Sequence, residues 1–150
     1  MDKYTLTEKT KIIDGVTLYK IEAIKDFGNV EKGDFGGYIE SEKNLSQRGN
    51  AWVYADAKVY ADAKVYGNAW VYGDACVYGD AKVYGDACVC GGARVYGNAW
   101  VYGNARVYGD AKVYDDAQVY GDAKVCGDDA EVSEIITLNG KRYKLIKENK

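Results

Sequence analysis

From Gly49 to Cys126 the chain repeats one six-residue phrase thirteen times without insertion: GNAWVY, ADAKVY, ADAKVY, GNAWVY, GDACVY and onward to GDAKVC. A period this short and this strict leaves few folds open. The third residue of every hexad is Ala and the fifth is Val, while the fourth changes among Trp, Lys, Cys, Arg and Gln. In an extended chain residues i and i+2 face the same way. Ala and Val therefore share one face, and the variable residue shares the other with the Tyr that usually closes the hexad. A four-residue strand alternates with a two-residue corner, most often Gly-Asp or Gly-Asn.

The inward face never changes register, so consecutive strands cannot fold back on each other as hairpins. They pair instead with the strand one coil further on. Three hexads make an 18-residue triangular coil with Ala and Val inside. At ~4.8 Å between strands, the 78 repeat residues build a prism roughly 21 Å tall. At the corner, the second residue is Asp, Asn or Gly92, types that tolerate a left-handed backbone. The first position also accepts Ala55, Ala61 and Asp115. The expectation is that the second corner residue turns the chain. Calcium binding by the Asp column is disfavoured, because Asn and Gly stand in the same column and calcium needs several converging oxygens.

The pattern V-Y-G-[DN]-A-x resembles the hexapeptide repeat of left-handed parallel β-helix proteins. The segment 26–54, DFGNVEKGDFGGYIESEKNLSQRGNAWVY, is also similar to the lead-in of bacterial and phage hexapeptide-repeat proteins described as acyltransferase-like or polymer-forming. The resemblance covers roughly residues 1–126. It implies the left hand of the coil, against the general preference for right-handed crossovers. The expected fold is therefore all-β: a left-handed parallel β-helix with β-hairpin caps at both ends. Residues 1–48 supply a hairpin around Asp14-Gly15 and an irregular lead-in coil, 49–126 the helix, and 127–150 a second hairpin around Asn139-Gly140. Both turns are strong hairpin signals. Caps are needed because the end coils of a solenoid expose unpaired strand edges.

The same resemblance sets the catalytic question. Acyltransferases of this fold use a His base, trimeric sites and often an extruded loop, and the carbonic anhydrases of this fold need three His ligands. This chain has no His and no insertion in its hexads. A base working near neutral pH would have to be a perturbed Asp, Glu or Cys. No GxSxG, GxxxxGK[ST] or GxGxxG pattern occurs. The sequence argues against catalysis, and no catalytic residue, metal site or cofactor is assigned. Cys76, Cys88, Cys90 and Cys126 lack zinc spacing and read as free thiols in a reducing compartment. Net charge is −3, and the repeats hold seven Lys and Arg against nine Asp, so nucleic acid and anionic membrane are poor partners. No apolar run approaches ~20 residues and the N-terminus lacks a signal-peptide core, which makes a cytoplasmic location the expectation. The hexads contain no Thr, which removes the flat Thr arrays of ice binding.

The outer surface remains. Residues 18 apart stack in columns: Trp52, Trp70, Cys88, Arg106, Lys124; then Lys58, Cys76, Arg94, Lys112; then Lys64, Lys82, Trp100, Gln118. A Tyr column runs beside each. Trp52 and Trp70, flanked by Tyr54 and Tyr72, form the expected exposed aromatic patch, with Trp100 and Tyr102 a second one. Such patches mark interfaces. The sequence thus points to a non-catalytic binding or assembly module. Its expected partner is another protein or a second copy of the chain in a dimer or trimer. The alternatives are a divergent acyltransferase, or a protein of phage origin that sequesters a nucleotide or sugar or blocks a host factor.

Overall fold

The Ala and Val of every hexad from Ala51 to Val125 point inward and are at most 3% exposed. A computed structural model describes residues 2–126 and, beyond them, the backbone of three strands, Ala130–Val132, Ile135–Thr137 and Lys147–Glu148. Each hexad contributes one short strand over its fourth and fifth residues, from Trp52–Val53 to Lys124–Val125. These strands pair in parallel with the strand three hexads further on, giving three ladders around a triangular core. The pairs Trp52–Trp70, Trp70–Cys88, Cys88–Arg106 and Arg106–Lys124 fix the first column. Lys58–Cys76–Arg94–Lys112 and Lys64–Lys82–Trp100–Gln118 fix the other two. The chain is thus an all-β solenoid whose coils are three hexads long, as the period requires.

The corner differs from expectation. Positive φ falls on the first corner residue, near +65° to +71° at the repeat glycines, and not on the Asp or Asn that follows. Ala55, Ala61 and Asp115 occupy the same conformation at +55° to +57°. The reason is the coil-to-coil ladder. The amide N–H of the second corner residue donates to the carbonyl of the first corner residue one coil on, as Asn68 does to Gly85 at 2.9 Å. Successive first-corner backbones therefore lie almost in contact, and a Cβ on Gly85 would sit 2.9 Å from the amide nitrogen of Gly103. The second-corner side chains extend outward and pair along the edge. Asn68 Nδ2 reaches Asp86 Oδ1 at 3.3 Å, and Asn104 Nδ2 reaches Asp122 Oδ1 at 3.4 Å.

The N-terminal end is closed by β1 (Tyr4–Ile13) and β2 (Val16–Ala23), an antiparallel hairpin turning at Asp14-Gly15 with positive φ at both residues. β3 (Phe35–Ile39) pairs antiparallel with β2 and parallel with Lys58–Val59, joining the hairpin to the solenoid as one sheet. Within the coils, the carbonyls of the first and third hexad residues accept N–H groups from the coil before. For the first coil the lead-in supplies some such donors, the N–H groups of Tyr38, Glu40 and Ser46 reaching Ala57 O, Val59 O and Val65 O. Elsewhere side chains take their place: Lys3 Nζ donates to Gly49 O at 3.2 Å and Ala51 O at 2.7 Å. Asn44 Nδ2 donates to Ala61 O at 3.1 Å and Ala63 O at 2.8 Å. Two buried polar side chains thus supply donors to first-coil carbonyls alongside the lead-in amides, which is how backbone groups at a buried edge are satisfied.

Beyond Cys126, Ala130–Val132 and Ile135–Thr137 continue the coil in parallel on Lys112–Val113 and Gln118–Tyr120, and Lys147–Glu148 lies antiparallel to Ala130–Glu131. The expected turn at Asn139-Gly140 lies outside the described residues. Among the described residues no helix is long and apolar enough to cross a membrane.

Candidate binding face

The three outer faces share one scaffold and differ in their tyrosine ladders. Beside the Lys58 column, Tyr60, Tyr78, Tyr96 and Tyr114 stack in parallel planes with centroids 5.0–5.3 Å apart. Beside the Lys64 column, Tyr66, Tyr84, Tyr102 and Tyr120 stack at 4.8–5.2 Å. Strand spacing matches ring spacing here, so one Tyr per coil forms a closed stack.

The face built on the Trp52 column breaks that order. Its ladder reads Tyr54, Tyr72, Cys90, Tyr108, Cys126. Without a continuous run of rings, Tyr54 and Tyr72 meet edge to face at 6.3 Å with an 84° interplanar angle, and Tyr54 meets Trp70 at 5.8 Å in the same manner. Clefts open between these tilted rings. A cleft of about 560 Å³ is lined by Asn29, Tyr54, Ala55, Trp70, Tyr72 and Gly73. A second, about 250 Å³, lies further along and is lined by Tyr72, Cys88, Cys90, Arg106, Tyr108 and Lys124. A third, about 410 Å³, runs on the other side of Trp70 toward the corner column of Asn50, Asn68 and Asp86.

This geometry separates the residues singled out from the sequence. Tyr54, Trp70 and Tyr72 come together around the first cleft, and Tyr72 is 38% exposed. Trp100 is 37% exposed on the Lys64 face, edge-on to Tyr84 and to Tyr102 at 6.4 Å each, with Lys82 Nζ 5.8 Å above its ring. Tyr102 belongs to the closed stack beside it. Trp52 requires a correction: it is 1% exposed, held edge-on by Phe27 at 5.2 Å and Tyr4 at 6.1 Å. Glycine at position 36 is part of this fit, since a Cβ there would come within 2.8 Å of the indole. The first Trp of the column is therefore core, covered by the cap, and presents nothing to a partner. The signal for this is its place in the first hexad, where a solenoid end must be covered.

Sequence reasoning aligns Cys88, Arg106 and Lys124 in the Trp52 column, with Cys90 in the column beside it, but it singles out none of them as site residues. Asn29 sits in an aperiodic segment and carries no signal in the sequence. The chemistry of these residues is mixed. A hydrogen bond with Cys90, together with burial, pushes the Tyr72 phenol up to about 12. A hydrogen bond with Cys126 raises that of Tyr108. Burial raises the Cys88 thiol against the opposing pull of Arg106. Near neutral pH these phenols and the Cys88 thiol are uncharged donors, and Arg106 and Lys124 carry the positive charge of the second cleft. Among the described residues no group of three or more His, Cys, Asp or Glu side chains is placed to hold a metal ion.

Comparison with known proteins adds two findings. The family model described as YdcK Beta solenoid repeat matches residues 93–109 and 99–115. A protein named Uncharacterized acetyltransferase YdcK, from Escherichia coli (strain K12), is 42% identical over 62 residues, 36% of this chain and 19% of its own length. The chain thus aligns with about a fifth of that relative.

Proposed function

The chain is a hexapeptide-repeat β-helix protein, and from that premise we propose that it works as a non-catalytic binding or assembly module whose contacts are made by aromatic side chains on its outer faces. The observation that carries this reading is the exposure of Tyr72 and Trp100 on a solenoid whose core is already closed by Ala and Val. Neither ring is needed to fill the interior. Exposed aromatics on a rigid support lose little entropy on contact and are frequent anchors of interfaces. The test is the mass in solution by light scattering, for wild type and for Trp70→Ala/Trp100→Ala. The expected result is a wild-type oligomer that the double variant converts to the 16.5 kDa monomer. A wild-type monomer removes the assembly half of the reading and leaves contact with an external partner, to be sought by pull-down.

A second reading, acyl transfer, is favoured by one observation, the relative whose name states an acetyltransferase. The chain aligns with a fifth of that protein, so the activity does not transfer with the alignment. Release of free CoA from acetyl-CoA above the uncatalysed rate, followed by chromatography over a panel of amines and alcohols, would establish it and displace the first reading.

A further inference from the structure

We propose that the Trp52 face binds a small aromatic phosphate, its ring in the cleft of Tyr54, Trp70 and Tyr72 and its phosphate between Arg106 and Lys124. The proposal rests on the reading of this face as a binding surface and names the class of ligand. Three observations lead to it. First, the apolar cleft and the cationic cleft are neighbours that share Tyr72 as a common wall. A ligand with a flat apolar part and an anionic part can occupy both at once. Their combined size falls in the range of ordinary small-molecule sites.

Second, one column supplies both chemistries in order. Trp70, Cys88, Arg106 and Lys124 are consecutive register partners. At ~4.8 Å per strand, Arg106 lies about 10 Å and Lys124 about 14 Å along the axis from Trp70. The flexible reach of both side chains shortens that span to the ring-to-phosphate separation of an aryl phosphate or a mononucleotide. Aromatic faces stack on any planar ring, and the planar guanidinium matches phosphate oxygens two at a time.

Third, the charges select an anion and give it a side. Among the described residues no carboxylate lines the cleft of Arg106 and Lys124, and the phenols of Tyr72 and Tyr108 there are uncharged. Among the described residues, ion pairs engage Lys11 with Asp56 and Lys43 with Asp62, and none engages Arg106 or Lys124. Arg106 also borders the third groove, where Asp86 is present to oppose an anion, whereas on the Tyr72 side it is joined by Lys124, which makes that side the seat of the phosphate. The break in the tyrosine ladder at Cys90 is what makes room: a Tyr at that position would extend the stack across the second cleft, as happens on the other two faces.

The experiment is calorimetric titration of the full chain with 1-naphthyl phosphate, 1-naphthol, inorganic phosphate and AMP. The expected result is that 1-naphthyl phosphate binds at least tenfold tighter than 1-naphthol or inorganic phosphate. Arg106→Gln, an exposed position that leaves the fold intact by circular dichroism, should lower that affinity about tenfold, to the level of 1-naphthol. Arg94→Gln on another face should leave it unchanged. AMP binding with the same sensitivity to Arg106→Gln assigns the ligand to nucleotides, and 1-naphthyl phosphate binding without AMP assigns it to simpler aryl phosphates. Equal binding of 1-naphthyl phosphate and 1-naphthol, or equal losses in Arg106→Gln and Arg94→Gln, would overturn the proposal while leaving an aromatic binding face. No binding of either naphthyl compound overturns it too. In that case light scattering of Trp70→Ala decides whether the broader reading survives as an assembly surface or falls with it.

Discussion

Ala55, Ala61 and Asp115 hold a left-handed backbone that ten of the thirteen corners give to glycine. A side chain in that region costs roughly 1–2 kcal/mol. Ala61→Gly relieves the strain and adds unfolded-state entropy, a partial offset. The expected net gain is about 0.5–1 kcal/mol, seen as a higher urea midpoint. Gly85→Ala is the opposite case. It adds the strain and also places a Cβ 2.9 Å from the Gly103 amide nitrogen, so a loss of about 2 kcal/mol or more is expected in the same assay. Lys3 illustrates a different residue-scale effect. Its side chain is buried and its ammonium meets three backbone carbonyls, those of Arg48, Gly49 and Ala51. Lys3→Met leaves these unpaired beneath the cap while removing the desolvation of a buried charge. The balance should be a loss of about 1–2 kcal/mol at neutral pH, measured by chemical denaturation.

The element of this fold is the coil, not the strand. A two-residue strand has no independent stability, and its partners always lie one full coil before or after it along the chain. Removing one whole coil therefore keeps every remaining column in register. Deletion of residues 91–108 should fold cooperatively with a lower melting temperature. Deletion of three residues inside the same stretch should not, because it rotates Ala and Val off the inner face. Circular dichroism melts of the two deletions test this. The N-terminal hairpin is an element of another kind. β1 ends a nine-stranded sheet and carries a register irregularity between Leu6 and Thr10 with Lys9 and Lys11 close by, features that discourage edge-to-edge pairing.

For the whole molecule, the tyrosine columns and Lys3 give stability opposite dependences on pH. Burial raises the phenols of Tyr54, Tyr60, Tyr66, Tyr84 and Tyr102 above their ordinary value of 10.0, and that of Tyr60 to about 12. Between about pH 10 and 12 the folded protein thus holds phenol protons that the unfolded chain has lost, and stability falls as pH rises. Lys3 is lowered by burial, and secondarily by Lys25, from 10.5 to about 8. From about pH 8 to 10.5 the unfolded chain holds the extra proton, so this contribution rises with pH. Urea midpoints across this range should climb modestly above about pH 8 and then fall above about pH 10. Lys3→Met should remove the climb and keep the fall. A midpoint that does not fall above about pH 10 would show that the phenols are not held up by the fold.

What the sequence determined alone is the repeat: the period of six, the inward Ala and Val, the coil of three hexads and the three outer columns. Each of these depends only on alternation along an extended chain and on the absence of insertions, so no knowledge of the rest of the molecule is needed. The tertiary structure decided what happens where the repeat meets something unlike itself. Trp52 and Trp70 are the same residue in the same column, yet Phe27 and Tyr4 bury the first and leave the second at a cleft. The conformation of the corner was decided by the coil above, which leaves room for no Cβ over most first-corner residues whatever their neighbours in sequence prefer. Lys3 and Asn44 lie outside the repeat, and only the fold shows that their side chains donate to carbonyls of the first coil. The candidate site followed from a contrast between faces, since a Cys in place of a Tyr is only a substitution in one dimension and becomes an opening once its neighbours are seen to stack. A periodic sequence specifies its interior by local rules, while its ends and its surface are set by contacts that lie far apart along the chain.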